Sequence, residues 1–176
     1  MLSLFKSKNV TTTANTDYRE FFKSQFFQSE HHHWIVANKF IQANFEEFFD
    51  KLPLILIKKF TQGPQLIFLA SSGRYSCAIN PLQAHVIIVF PELMKLLKSS
   101  ATNHALAILA HEIGHIAHEH GAKVIDPIEA QVEADLFACK LGYALEIESF
   151  LEDQVESLEK RIRLTYVTAY LHSTNN

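Results

Sequence analysis

The stretch AILAHEIGHIAHEHG, residues 107–121, sets four histidines and two glutamates into an otherwise apolar run. Read as a helix, it puts His111 and His115 one turn apart on the same side, with Glu112 about 100° round from His111. That pair is a chelate. The string His111-Glu112-Ile113-Gly114-His115 satisfies the pattern HExxH, in which two neutral imidazoles bind Zn²⁺ and the glutamate acts on the metal's water. The chemistry requires those residue types. Zinc lowers the pKa of its water to about 7 and polarises a carbonyl, while the carboxylate takes the proton and hands it to the leaving amine. The expectation is peptide-bond hydrolysis with one Zn²⁺, His111 and His115 as metal ligands and Glu112 as general base. Leu106, Leu109, Ile113, Ile116 and Ala117 form an apolar stripe on the opposite side, suited to pressing the helix onto a core. Gly114 costs roughly 1 kcal/mol of helix stability relative to Ala, and any side chain there would crowd whatever approaches between the histidines.

The third ligand has to come from elsewhere. The spacing of the metzincins would place it at residue 121, which is a glycine, so neither His118 nor His120 fits. Carboxylates on the next helical stretch remain, and EAQVEADLFACKLG supplies Glu129, Glu133 and Asp135. HEIGH followed by EADLFACKLG resembles the gluzincin metallopeptidases, in particular the small minimal-domain members and the families whose second motif reads E-x-x-A-D or E-x-E-A-D with a Phe-Ala following. The resemblance covers residues 111–142 and implies a zincin-like fold. Aligned on it, Gln131 stands where the family's zinc ligand usually lies, and Asp135 falls in the place that orients a ligand histidine. Glu133 is then the expected third ligand, with Asp135 either the alternative ligand or the carboxylate that fixes a histidine tautomer. Arg163, Tyr166, Tyr170 and His172 are candidates for stabilising the transition state. HVIIVF resembles the edge strand along which zincins align an extended peptide. The contrasting reading is a non-catalytic zinc-stabilised binding or regulatory module, for which the Gln131 departure is the best support.

The elements that must position these residues are legible from periodicity. Apolar residues recur at helical spacing from Asp17 to Asp50, giving one long helix or two broken near the histidines 31–33. Those three consecutive histidines point about 100° apart, so at most two could share a metal. QLIFLAS, YSCAIN and HVIIVF are short β-rich runs separated by turn residues, which predicts a mostly antiparallel sheet of three or four strands. Helical spacing returns in PELMKLLK and again from about Thr102 to His120, ended by Gly121. Asp126 suits an N-cap, Pro127 the first helical position and Glu129 the capping-box position of a helix running to Gly142. One or two helices follow. The expected class is α+β, a single metallopeptidase-like domain over residues 1–176 with residues 1–16 a loose tail.

Composition narrows the partners. Lys and Arg number 16 against 19 Asp and Glu, a net charge of −3, far from the basic footprint of a nucleic-acid binder. Two cysteines, Cys77 and Cys139, sit in apolar segments and read as reduced core residues. The longest apolar runs fall short of the roughly 20 residues that span a bilayer. These features point to a cytoplasmic protein acting on a protein or peptide, with no membrane or nucleic-acid partner.

Overall fold

Fourteen phenylalanines, most of them early in the sequence, need an apolar interior, and the first helices are arranged to give them one. In a computed structural model, residues 8–71 and 84–174 are described. Their contacts divide the chain into two compact units, Met1–Phe90 and Pro91–Asn176.

The first unit begins with α1 (Lys8–Gln28), which starts at Lys8 rather than near Asp17. A 3-10 turn (Glu30–His32) breaks the helical run at the histidines and leads into α2 (His33–Val36), α3 (Lys39–Lys51) and α4 (Leu54–Gln62). Asn38 caps α3 by accepting from the Phe40 and Ile41 amides. At the other end of α3, the Arg19 guanidinium donates to the carbonyls of Phe49 and Leu52, each at 2.7 Å, where a helix has no amides of its own to offer. Between these helices Phe22, Phe26, Phe45, Phe48 and Phe49 are buried. Their rings meet largely edge to face, as Phe26 and Phe49 do at 4.6 Å, the arrangement the ring quadrupole favours.

Strands β1 (Gln65–Ala70) and β2 (Ala84–Val89) pair from Gln65 opposite Ala84 to Ala70 opposite Val89. They run parallel, which corrects the antiparallel expectation. Parallel strands need a connection of about a dozen residues or more, and the chain between Ala70 and Ala84 has that length, so the turn-like residues there do not imply a hairpin. The expected strand YSCAIN and Cys77 lie outside the described residues.

The second unit is helical: α5 (Pro91–Leu97), α6 (Thr102–Ala117), a 3-10 turn (His120–Ala122), α7 (Pro127–Ala138), a π turn (Cys139–Tyr143), α8 (Ala144–Glu152) and α9 (Leu158–Thr174). Asp126 caps α7 as its position suggested, accepting from Ile128 at 2.9 Å and Glu129 at 3.2 Å, with Pro127 opening the helix. Two boundaries differ from expectation. α6 stops at Ala117, short of His120, because Glu119 takes the left-handed conformation, φ 58° and ψ 36°, and that ends a right-handed helix as effectively as a glycine would. After Ala138, α7 widens into the π turn, where Gly142 at φ 93° is in a region that costs a glycine nothing. The apolar stripe of α6 is buried at Leu106, Leu109 and Ile113. Where α6 meets α7, a Cβ on Gly114 would lie 2.9 Å from the Cα of Ala134, so the approach Gly114 permits is that of the next helix. Among the described residues no helix is long and apolar enough to cross a membrane.

Candidate metal centre

One turn of α6 separates His111 from His115, and the helix brings their Nε2 atoms to 3.1 Å from each other. Two nitrogens each about 2.0–2.1 Å from a tetrahedral zinc would lie roughly 3.3 Å apart, so the pair is set at close to a zinc bite. The opposite nitrogens are both engaged. His111 Nδ1 lies 2.8 Å from Asp135 Oδ1; the carboxylate only accepts, so His111 carries its proton on Nδ1 and offers Nε2 as a lone pair.

Asp135, on α7, is itself clamped. Arg163 from α9 donates Nε to Oδ2 at 2.7 Å and Nη2 to Oδ1 at 2.9 Å, while its Nη1 reaches Glu159 at 3.1 Å. Burial alone would raise the Asp135 carboxyl, but hydrogen bonds from His111 and Arg163 outweigh it and hold the group below the usual carboxylate range. Asp135 thus accepts from His111 on one side and from Arg163 on the other. Arg163, a transition-state candidate in the sequence, has its guanidinium committed to Asp135 and Glu159.

Beyond His115 the contacts continue through a residue the sequence pattern had set aside. His115 Nδ1 lies 2.8 Å from His120 Nδ1, and His120 Nε2 lies 2.8 Å from Glu133 Oε2. His118 Nδ1 is 3.5 Å from the same oxygen. Glu133, the expected third ligand, therefore stands with His118 and His120. These form the metal-competent group of three among the described residues, their ligand atoms all within 4.8 Å of one another. The His120 hydrogen bond chiefly holds the Glu133 carboxyl below its ordinary range. His115 is pushed down to about 4, first by burial and then by the neighbouring imidazoles, so it is a neutral donor or ligand near pH 7. The helical reading that carried α6 on to His120 concealed this; the left-handed Glu119 turns His120 back onto the helix end.

Glu112 is exposed and lines a cavity of about 210 Å³ together with His111, Gln131, Asp135 and Arg163. Ile108, Ile147 and Phe150 supply its apolar wall. Gln131 therefore shares a cavity with the first histidine and the glutamate of the motif.

Residues 78–131 match the model of peptidase family M48. The matched stretch contains His111, Glu112, His115 and Gln131 and ends before Glu133 and Asp135. It supports a zinc metallopeptidase family, and M48 peptidases depend on zinc, which agrees with the donor set at His111 and His115. No curated protein and no solved structure matches the chain. Cys139 is buried and unbridged, and burial pushes its thiol up to about 12, which removes it as a nucleophile or thiolate ligand.

Proposed function

We propose that the chain is a zinc-dependent peptidase that hydrolyses peptide bonds in the cavity beside α6. The convergence of His111 and His115 carries the reading: the lone pair that Asp135 fixes on His111 Nε2 faces His115 Nε2 at 3.1 Å, close to the spacing of two nitrogens on one zinc. Bound there, zinc would supply Lewis acidity toward a carbonyl and toward a water. Glu112, exposed on the same cavity, takes the proton from the attacking water and returns it to the departing amine. Asp135 holds His111 in the ligating tautomer, and Arg163 keeps Asp135 ionised. In place of the expected Glu133, which is engaged by His120, the amide oxygen of Gln131 completes the ligand shell. A neutral oxygen is a weaker partner for zinc than a carboxylate, so Gln131→Glu is expected to tighten zinc binding.

The test is Glu112→Gln in the zinc-loaded chain, followed by peptide-library cleavage and zinc content. Hydrolysis falls at least about 10²–10⁴-fold, the usual weight of general-base catalysis, while zinc content is unchanged. Cleavage retained at the wild-type rate ends the mechanism. Zinc bound with no cleavage by the wild-type chain supports the non-catalytic module instead.

A further inference from the structure

Four polar contacts run in series through the second unit. They are Asp135 Oδ1 to His111 Nδ1, His111 Nε2 to His115 Nε2, His115 Nδ1 to His120 Nδ1, and His120 Nε2 to Glu133 Oε2. Ionised carboxylates only accept, and a neutral imidazole carries one N–H. Three rings therefore bring three protons to four contacts, and one contact is left with an acceptor facing an acceptor. A bound metal ion, or a further proton on one ring, satisfies such a pair. The deficit is not at the Asp135 end, where the carboxylate takes the His111 Nδ1 proton and two bonds from Arg163. Nor is it between the two Nδ1 atoms, whose 2.8 Å separation is a hydrogen-bond length, shorter than the roughly 3.3 Å that two nitrogens on one zinc require. It falls at His111 and His115, the longest of the four contacts at 3.1 Å and the centre proposed above, because His120 and Glu133 at 2.8 Å are also at a hydrogen-bond length.

The His120 and Glu133 end of the series nonetheless has the makings of a site of its own. His118 adds a second imidazole, and the three side chains give two nitrogens and a carboxylate oxygen within 4.8 Å of one another, a donor set suited to zinc. His118 and Glu133 are each 37 % exposed at the side chain, so the cluster can be reached from solvent.

We propose that His118, His120 and Glu133 form a second zinc site, and that the single proton shared by His115 and His120 makes occupation of either site exclude the other. With that proton on His115 Nδ1, His115 offers Nε2 beside His111, while His120 donates Nε2–H to Glu133 and cannot ligate. With the proton on His120 Nδ1, His120 Nε2 becomes a lone pair facing Glu133 and His118, and His115 must carry its proton on Nε2, where it donates to His111 and the first site closes. Zinc at the second site is then an inhibitor of the peptidase. The exclusion rests on the reading of His111 and His115 as the first site; the existence of the second site does not.

Equilibrium dialysis of the full-length chain against micromolar zinc, with elemental analysis, separates these statements. Wild type, His111→Ala and His118→Ala are each expected to hold one zinc, and the double variant none. Circular dichroism checks that each is folded, and His111→Asn replaces His111→Ala should the latter unfold. A folded His111→Ala chain with no zinc overturns the second site, as does a double variant that still holds one. Two zinc ions on the wild type overturn the exclusion. No zinc on His118→Ala with one on His111→Ala refutes the first site and leaves the second standing.

Discussion

His32 in the first unit and His115 in the second have the same acid–base character and opposite surroundings. Burial is the leading cause in both, and each is pushed down to about 4. His32 sits between backbone groups: its Nδ1 donates to the Phe26 carbonyl at 2.6 Å and its Nε2 accepts from the Phe68 amide at 3.1 Å. Its ring also stacks on Phe26 at 3.6 Å. Every valence is used, so His32 ties the 3-10 turn to β1 and has nothing left for a ligand. His115 meets other imidazoles on both nitrogens, and the donors run out before the acceptors do. A depressed pKa therefore does not mark a functional histidine here; an unmatched lone pair does.

Removing one histidine from each region should give opposite losses. His115→Ala takes away a proposed zinc ligand, and peptide hydrolysis is expected to drop by on the order of 10³-fold or more, beyond the 10–100-fold typical of losing a group behind the ligands. The melting temperature should change little. His32→Phe keeps the stacked ring but strands a buried carbonyl and a buried amide, at about 2–4 kcal/mol together, with turnover per folded molecule unchanged. Urea unfolding beside a cleavage assay reads both. A His32→Phe chain as stable as wild type, or an active His115→Ala chain, would erase the contrast.

The two carboxylate ends of the histidine series sharpen it further. Asp135 is 1 % exposed and paired with buried Arg163, whereas the Glu133 side chain is 37 % exposed. Asp135→Ala leaves a buried guanidinium with only Glu159, and a loss of about 3–5 kcal/mol is expected. Glu133→Gln should stay within about 1 kcal/mol. Equal losses in urea unfolding would mean that burial at the Asp135 end does not set its importance.

How much of this could be read beforehand depended on how local each signal was. The cap at Asp126 and the one-turn pair of His111 and His115 are fixed by residues within a few positions of one another, and the sequence shows them; the break at histidines 31–33 was one of the two readings it allowed. The orienting role proposed for Asp135 came through likeness to a known motif, since no local rule joins residues 24 apart. The strand direction was illegible, because period-two patterning is the same for parallel and antiparallel neighbours. The partnership of Glu133 with His120 was hidden by a single backbone choice at Glu119, a residue type that seldom takes positive φ. Arg163 read as a candidate for stabilising the transition state until α9 was seen to bury it against Asp135 of α7.

Acid should distinguish the His32 region by sign as well as size. In the unfolded chain His32 binds a proton as pH falls through about 6.5, but in the folded chain only near 4. The unfolded state therefore holds more protons between those values, so stability is full above about 6.5 and is lost as pH falls toward 4, by about 3 kcal/mol for this residue. Unfolding free energies for wild type and His32→Phe from pH 7 to 4.5 isolate its share. Parallel curves for the two chains would refute the assignment.

The smallest effect concerns how tightly the second region must be built for its lone pairs to face each other. A Cβ at Gly114 would lie 2.9 Å from Ala134 Cα and 3.1 Å from both the Ala134 carbonyl oxygen and Phe137 Cβ. Two of those atoms are backbone, so α6 and α7 must separate for an alanine to fit. The helix gains up to about 1 kcal/mol of propensity against an overpacking cost of about 1–3 kcal/mol, and a net loss of about 1 kcal/mol is expected. The larger consequence is geometric: moving α7 away from α6 lengthens the Asp135 to His111 hydrogen bond that fixes the ligating tautomer, and zinc affinity should fall about 10-fold or more. A Gly114→Ala chain that binds zinc as wild type does would show that the close helix approach serves packing alone.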